Sequence, residues 1–125
     1  MANRAYGSQL DGDMMPLVLQ ENTDQATTAS YATLLKSRIS EPTKSTVVIS
    51  NSDSSNGLKY KILVSNDPEG AASSFAEEKA EAVLAANATA RYVVSGSFLW
   101  IDVQVVDNVP ASHAIANAWL HSCGV

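Results

Sequence analysis

Cysteine is almost absent: the 125 residues include one, Cys123. One thiol allows neither an intramolecular disulfide nor a multi-cysteine zinc site. The chain must therefore fold on its apolar core, and it is long enough to build one. Charge is also sparse. Asp, Glu, Lys and Arg make up 17% of the chain, against a usual share of about 25%. Ala, Ser, Thr and Asn take their place, and such polar groups cost less to desolvate than ions do. Only 8 residues are basic against 13 acidic, for a net charge of −5. Arg4, Lys36, Arg38, Lys44, Lys59, Lys61, Lys79 and Arg91 are scattered. Nucleic-acid binding needs clustered cations to release counterions, so it is not expected. Long apolar runs are missing too. No stretch approaches the ~20 residues of a membrane span, and Met1 to Gln20 holds no run of signal-peptide length. Met1-Ala2-Asn3 reads as an intact cytoplasmic start without a membrane partner, and the lone cysteine fits either a reducing compartment or a chain that needs no bridges.

What remains is a chain that is 46% hydrophobic, with its apolar residues in short runs. Residues 1–16, with Gly7, Gly12 and Pro16, have little periodicity and predict an extended N-terminal arm, either ordered by contact with a partner or a floppy tail. Residues 17–125 predict a single domain. Leu17-Val18-Leu19 is its first apolar run, and Asn22 to Ala29 a polar break. Tyr31 to Ile39 fits a strand, although Leu34 spoils the alternation. Thr46 to Ser50, the turn-rich Asn51 to Gly57 and the alternating Leu58 to Val64 read as a hairpin with a long loop. Residues 73–79 suit a short helix or turn, with a strand near 81–87 and another from Ala90. Leu99, Ile101, Val103 and Val105 line one face of the strongest segment, and Phe98, Trp100, Asp102 and Gln104 the other, predicted to be partly buried. Tyr60, Ile62 and Val64 join the first set in the expected core. Then His113, Ile115, Asn117, Trp119 and His121 alternate with Ala114, Ala116, Ala118 and Leu120, a small-residue face suited to a neighbouring sheet or subunit. Short strands with regularly spaced turns predict an all-β fold, an antiparallel β-sandwich of jelly-roll or immunoglobulin-like type.

Catalytic and ligand-binding patterns are weak. Ser112, His113 and Asp107 could form a triad on paper, but adjacent residues of a strand point to opposite faces and no nucleophile elbow is present. His121 and Cys123 share a face, yet two ligands fall short of the three or four a stable metal site wants. The loop from Asn51 lacks the Gly and Glu that a calcium loop places at its sixth and twelfth positions. Glu77, Glu78 and Glu81 form the acidic cluster, with no aromatic cleft placed beside it. No enzyme activity, cofactor or metal is therefore expected. Trp100 and Trp119 suit either sugar stacking or protein interfaces. With Ile115 they are the predicted interface residues.

Two stretches resemble those of small β-sandwich virion proteins of tailed bacteriophages. They are Leu58-Lys59-Tyr60-Lys61-Ile62-Leu63-Val64-Ser65-Asn66-Asp67 and Tyr92 to Val105, the second containing Ile101-Asp102-Val103-Gln104-Val105 and followed by the Ala-rich strand at Ala114–Leu120. Gln20 to Asp24 followed by Thr27 to Tyr31 is similar to the first-strand region. The likeness covers about residues 17–120. It implies a virion structural protein made in the host cytoplasm, most often a decoration (cement) protein on the outside of a capsid. Its implied partners are the major capsid protein or other virion subunits, and copies of itself, as a trimer. A neck or tail subunit, or a carbohydrate-binding sandwich for host adhesion, are the alternatives. Two tryptophans on one open face would favour the last.

Overall fold

The computed structural model describes residues 17–39, 43–94, 96 and 98–124. The predicted arm, residues 1–16, lies outside the described residues. Among the described residues eight strands follow one another: β1 (Leu17–Ala26), β2 (Ala32–Arg38), β3 (Thr43–Asn51), β4 (Leu58–Ser65), β5 (Ala76–Leu84), β6 (Thr89–Val94), β7 (Trp100–Asp107) and β8 (Ile115–Gly124). They form two antiparallel four-stranded sheets: sheet 1, ordered β1-β8-β3-β6, and sheet 2, ordered β2-β7-β4-β5. The fold is thus the expected β-sandwich. Its strand order is that of a jelly roll, not of an immunoglobulin domain. Among the described strands only β4 and β5 are both consecutive and paired. Every other connection carries the chain from one sheet to the other.

The core lies between the sheets. Val47 and Ile49 of β3 and Leu120 of β8 meet Leu58 and Ile62 of β4 and Ile101, Val103 and Val105 of β7, each at most 1% exposed. Of the predicted core, Tyr60 and Val64 are also buried, and Leu99 is half-buried. Ala114, Ala116 and Ala118 are buried as well, so the small-residue face of β8 packs on the opposing sheet. Leu34 breaks the alternation of β2 through a bulge. The register passes from Thr33↔Gln104 to Leu35↔Val103, and Leu34 and Leu35 both end up buried.

Three expectations are corrected. The segments 46–50 and 58–64 do not form a hairpin: β3 pairs with β6 and β8, and β4 with β5 and β7. The turn residues between them build an arch from one sheet to the other. Its keystone is Asn51, buried, whose side-chain amide donates to Asn56 O at 2.8 Å and to Leu84 O and Ala85 O at 3.3 Å. The polar break is strand: β1 continues to Ala26 along β8, with an irregularity between Asn22 and Gln25. Asp24 there takes a positive φ of 61° and donates its N–H to Asn117 Oδ1 at 2.8 Å. Finally, the helix-forming composition after Ala71 yields only a 3-10 turn, Ala72–Ser74, and β5 begins at Ala76, well before residue 81. Pairing with β4 overrides helix propensity here.

Candidate protein-binding surface

The two outward faces of the sandwich differ in kind. On sheet 2, Lys59 and Lys61 alternate outward between buried Leu58, Tyr60 and Ile62. The Lys61 ammonium lies 4.2 Å from the Tyr31 ring centroid, and the Tyr31 hydroxyl donates to Glu81. Lys59 reaches the same carboxylate at 4.0 Å. Burial and the bond to Glu81 push the Tyr31 hydroxyl well above its usual pKa. Asp102, 6% exposed, accepts from Thr33 Oγ1 at 3.0 Å and Gln104 Nε2 at 2.9 Å. Trp100 sits at one end of this face with Gly70 against its indole. Lys36 lies 5.0 Å and 5.5 Å from the Phe75 and Trp100 rings and donates to Gly70 O at 3.3 Å. The charges of sheet 2 are therefore largely used within the molecule.

Sheet 1 presents the opposite. Its outer face holds an open groove of about 490 Å³, lined by Leu19, Glu21, Thr46, Val48, Trp119 and His121, with Gln20 and Leu120 beneath. Leu19 is 64%, Val93 48% and Trp119 39% exposed. The register sorts these side chains into transverse rows. One row reads Leu19, His121, Thr46, Val93 across β1, β8, β3 and β6. The next reads Glu21, Trp119, Val48, Arg91. Apolar side chains brought together in the open on one sheet face mark an interaction surface, where scattered ones would not.

The predicted interface residues are divided. Trp119 and Ile115 share the outer face of β8, Trp119 in the groove and Ile115 half-buried further along the strand. Trp100 lies on the outer face of sheet 2, half-buried. The two tryptophans thus occupy opposite sides of the sandwich and form no paired aromatic platform. Leu19, Val48 and Val93 were not singled out from the sequence. Their signal lies in Leu17-Val18-Leu19, Val47-Val48-Ile49 and Tyr92-Val93-Val94, where consecutive apolar residues must place one on each face of a strand.

The catalytic candidates resolve differently. Asp107 and His113 do meet, Nδ1 lying 3.0 Å and 3.1 Å from the two carboxylate oxygens. Asp107 also accepts from Thr27 Oγ1 at 2.5 Å, and Thr27 Oγ1 accepts the Ala114 N–H at 2.8 Å. The carboxylate is buried among these groups, where it ties the ends of β1, β7 and β8. No hydrogen bond joins Ser112 Oγ to His113 among the described residues. Asp53 in the would-be calcium loop instead accepts the backbone N–H groups of Ser55 and Asn56, which lower its pKa. No group of three metal-ligating side chains occurs among the described residues, and the Cys123 side chain lies outside them.

No protein-family model matches the sequence, and no curated protein does. Solved structures do match. A protein of the Bacillus endospore appendages, described as disulfide-linked pili, aligns with a TM-score of 0.53 at 12% identity over 97% of this chain and 100% of that one. A chain of the T13 infectious bursal disease virus particle aligns with a TM-score of 0.55 at 12% identity over 96% of this chain and 35% of its own. One from the Gx strain of that virus gives 0.53, 12%, 96% and 38%. This chain therefore spans about a third of the viral chains and all of the appendage protein, and at that identity the likeness is one of fold.

Proposed function

We propose that this protein is a structural subunit that works by binding other protein subunits, and not an enzyme. The observation that carries the reading is the contrast between the faces: sheet 2 uses most of its charges within the molecule, while sheet 1 holds exposed Leu19, Val93 and Trp119 and half-buried Val48 on one face. Burying that surface is the favourable step it is built for. The fold likeness to chains of a pilus and of a virus particle supports the same class. Within it, the resemblance to tailed-phage virion proteins favours a decoration subunit on the outside of a capsid, binding the major capsid protein and other copies of itself. A neck or tail position uses the same surface. The glycan-binding alternative is weakened by the separation of Trp100 and Trp119. The test is to locate the chain by mass spectrometry and antibody labelling on purified particles. The reading expects it there, released or weakened by Trp119→Ala. Its absence from every assembled particle would overturn the reading.

A further inference from the structure

The outer face of sheet 1 carries a pattern that its hydrophobicity alone does not require. In the row Glu21, Trp119, Val48, Arg91, the two ends carry opposite charge and the centre is apolar. The ends sit on the two edge strands, three strand intervals apart, or about 14 Å. That is too far for Glu21 and Arg91 to pair with each other. Neither side chain has an ion-pair or hydrogen-bond partner among the described residues. The neighbouring row, Leu19, His121, Thr46, Val93, has an exposed apolar side chain at each end.

We propose that this face binds the same face of a second copy about a two-fold axis parallel to the strands. This deepens the reading of the face as protein-binding and rests on it. The symmetry follows from the pattern. A two-fold axis along the strands, lying between the faces, reverses the order of strands across the contact while keeping rows in register. Strand β1 then lies over the partner's β6, and β8 over the partner's β3. Glu21 faces the partner subunit's Arg91, Trp119 faces the partner subunit's Val48, and Leu19 faces the partner subunit's Val93. Each contact occurs twice, as an isologous interface demands. An in-plane axis across the strands along this row places Glu21 on Glu21 and Arg91 on Arg91, which like-charge repulsion opposes, and one midway between the two rows places Glu21 on Leu19 and Arg91 on Val93, which leaves both charges unpaired. The short side chain of Val48 and the flat one of Trp119 lie at the centre of the row, and the long Glu21 and Arg91 at its edges. The contact so defined is a dimer, distinct from the trimer implied by the phage resemblance.

Sedimentation equilibrium of the whole chain at low salt tests it. A concentration-dependent dimer is expected, with Trp119→Ala raising Kd at least tenfold. Glu21→Arg and Arg91→Glu alone should each raise it at least tenfold, since each puts like charges together at two places. The double variant should return Kd to within threefold of the native value. An equimolar mixture of the two single variants should form heterodimers, because one copy then supplies both bases and the other both acids. These substitutions lie on exposed positions, and circular dichroism checks that each variant is folded. A strict monomer or a trimer overturns the proposal. So do single variants that dimerise like the native protein, or a mixture that fails to. A protein found on particles yet monomeric alone overturns the dimer and leaves the structural role standing. A dimer absent from particles does the reverse.

Discussion

Gly70 and Asp107 show how single positions hold the ends of the sandwich. Gly70 has a φ of +65°, and a Cβ there would sit 2.7 Å from Trp100 Cε2. Gly70→Ala therefore meets both left-handed backbone strain and the face of an indole held in place by Lys36. A loss of about 1–3 kcal/mol is expected in urea unfolding. Combining it with Trp100→Leu should recover part of the loss, because the clash is with the ring. At the other end, burial acts to raise the Asp107 carboxyl, but hydrogen bonds from Thr27, His113 and the Ala111 N–H outweigh it and hold its pKa below the usual value. The group is thus ionised more readily folded than unfolded. Its contribution is complete above pH about 4, where an unfolded Asp is ionised, and is lost as pH falls through the lower native value. In a series of melts against pH, Asp107→Asn should lower Tm at neutral pH and flatten the acid limb. An unchanged acid limb would show that another carboxylate governs it. The partnership with His113 was readable as a residue grouping in the sequence. Its meaning was not, because nothing near Asp107 in the chain announces Thr27, eighty positions away.

At the scale of elements, the strands with one polar and one apolar face were legible and the connections were not. Leu58 to Ser65 and Trp100 to Asp107 are central strands because their alternation matches a sheet buried on one side. Ile62→Ala or Ile101→Ala should cost about 2–5 kcal/mol, while Val83→Ala, on an exposed edge position, should stay within about 0.5 kcal/mol. The arch after β3 was misread because a turn cluster between two strands has the same composition whether the chain returns to its own sheet or crosses to the other. What decides is Asn51, which satisfies carbonyls on the far side of the arch. Asn51→Ala leaves those acceptors and the Asp53 N–H without it. A loss of about 1–3 kcal/mol is expected. The polar stretch of β1 was missed for a related reason. An edge strand with a bulge and a positive φ at Asp24 is held by backbone pairing to β8 and by Asn22 and Asn117 side chains, none of which leaves a hydrophobic period in the sequence.

For the whole molecule, the proposed protein-binding role was legible from what the chain lacks, and the surface proposed for it was not. Two of the three predicted interface residues lie on one outer face, and the third lies on the other, because parity within a strand says which residues share a face but not which face looks outward in which sheet. Metal plays no part in the expected stability, so a chelator should leave Tm unchanged. A fall of several degrees would return attention to His121 and Cys123. Position in the topology matters more. Strand β8, the last of the eight in chain order, lies between β1 and β3 and pairs with both. During synthesis β1 emerges first but has no partner in sheet 1 until β8 follows, and the β3–β6 pair cannot be joined to it any earlier. Such non-local closure makes folding slow and close to all-or-none. A chain broken off before residue 115 lacks Trp119 and the strand that joins β1 to the β3–β6 pair, and so has no complete outer face on sheet 1. On the proposed role, a chain made this way presents its outer face on sheet 1 in full only after β8 is in place, which keeps unfinished copies out of whatever it helps to build.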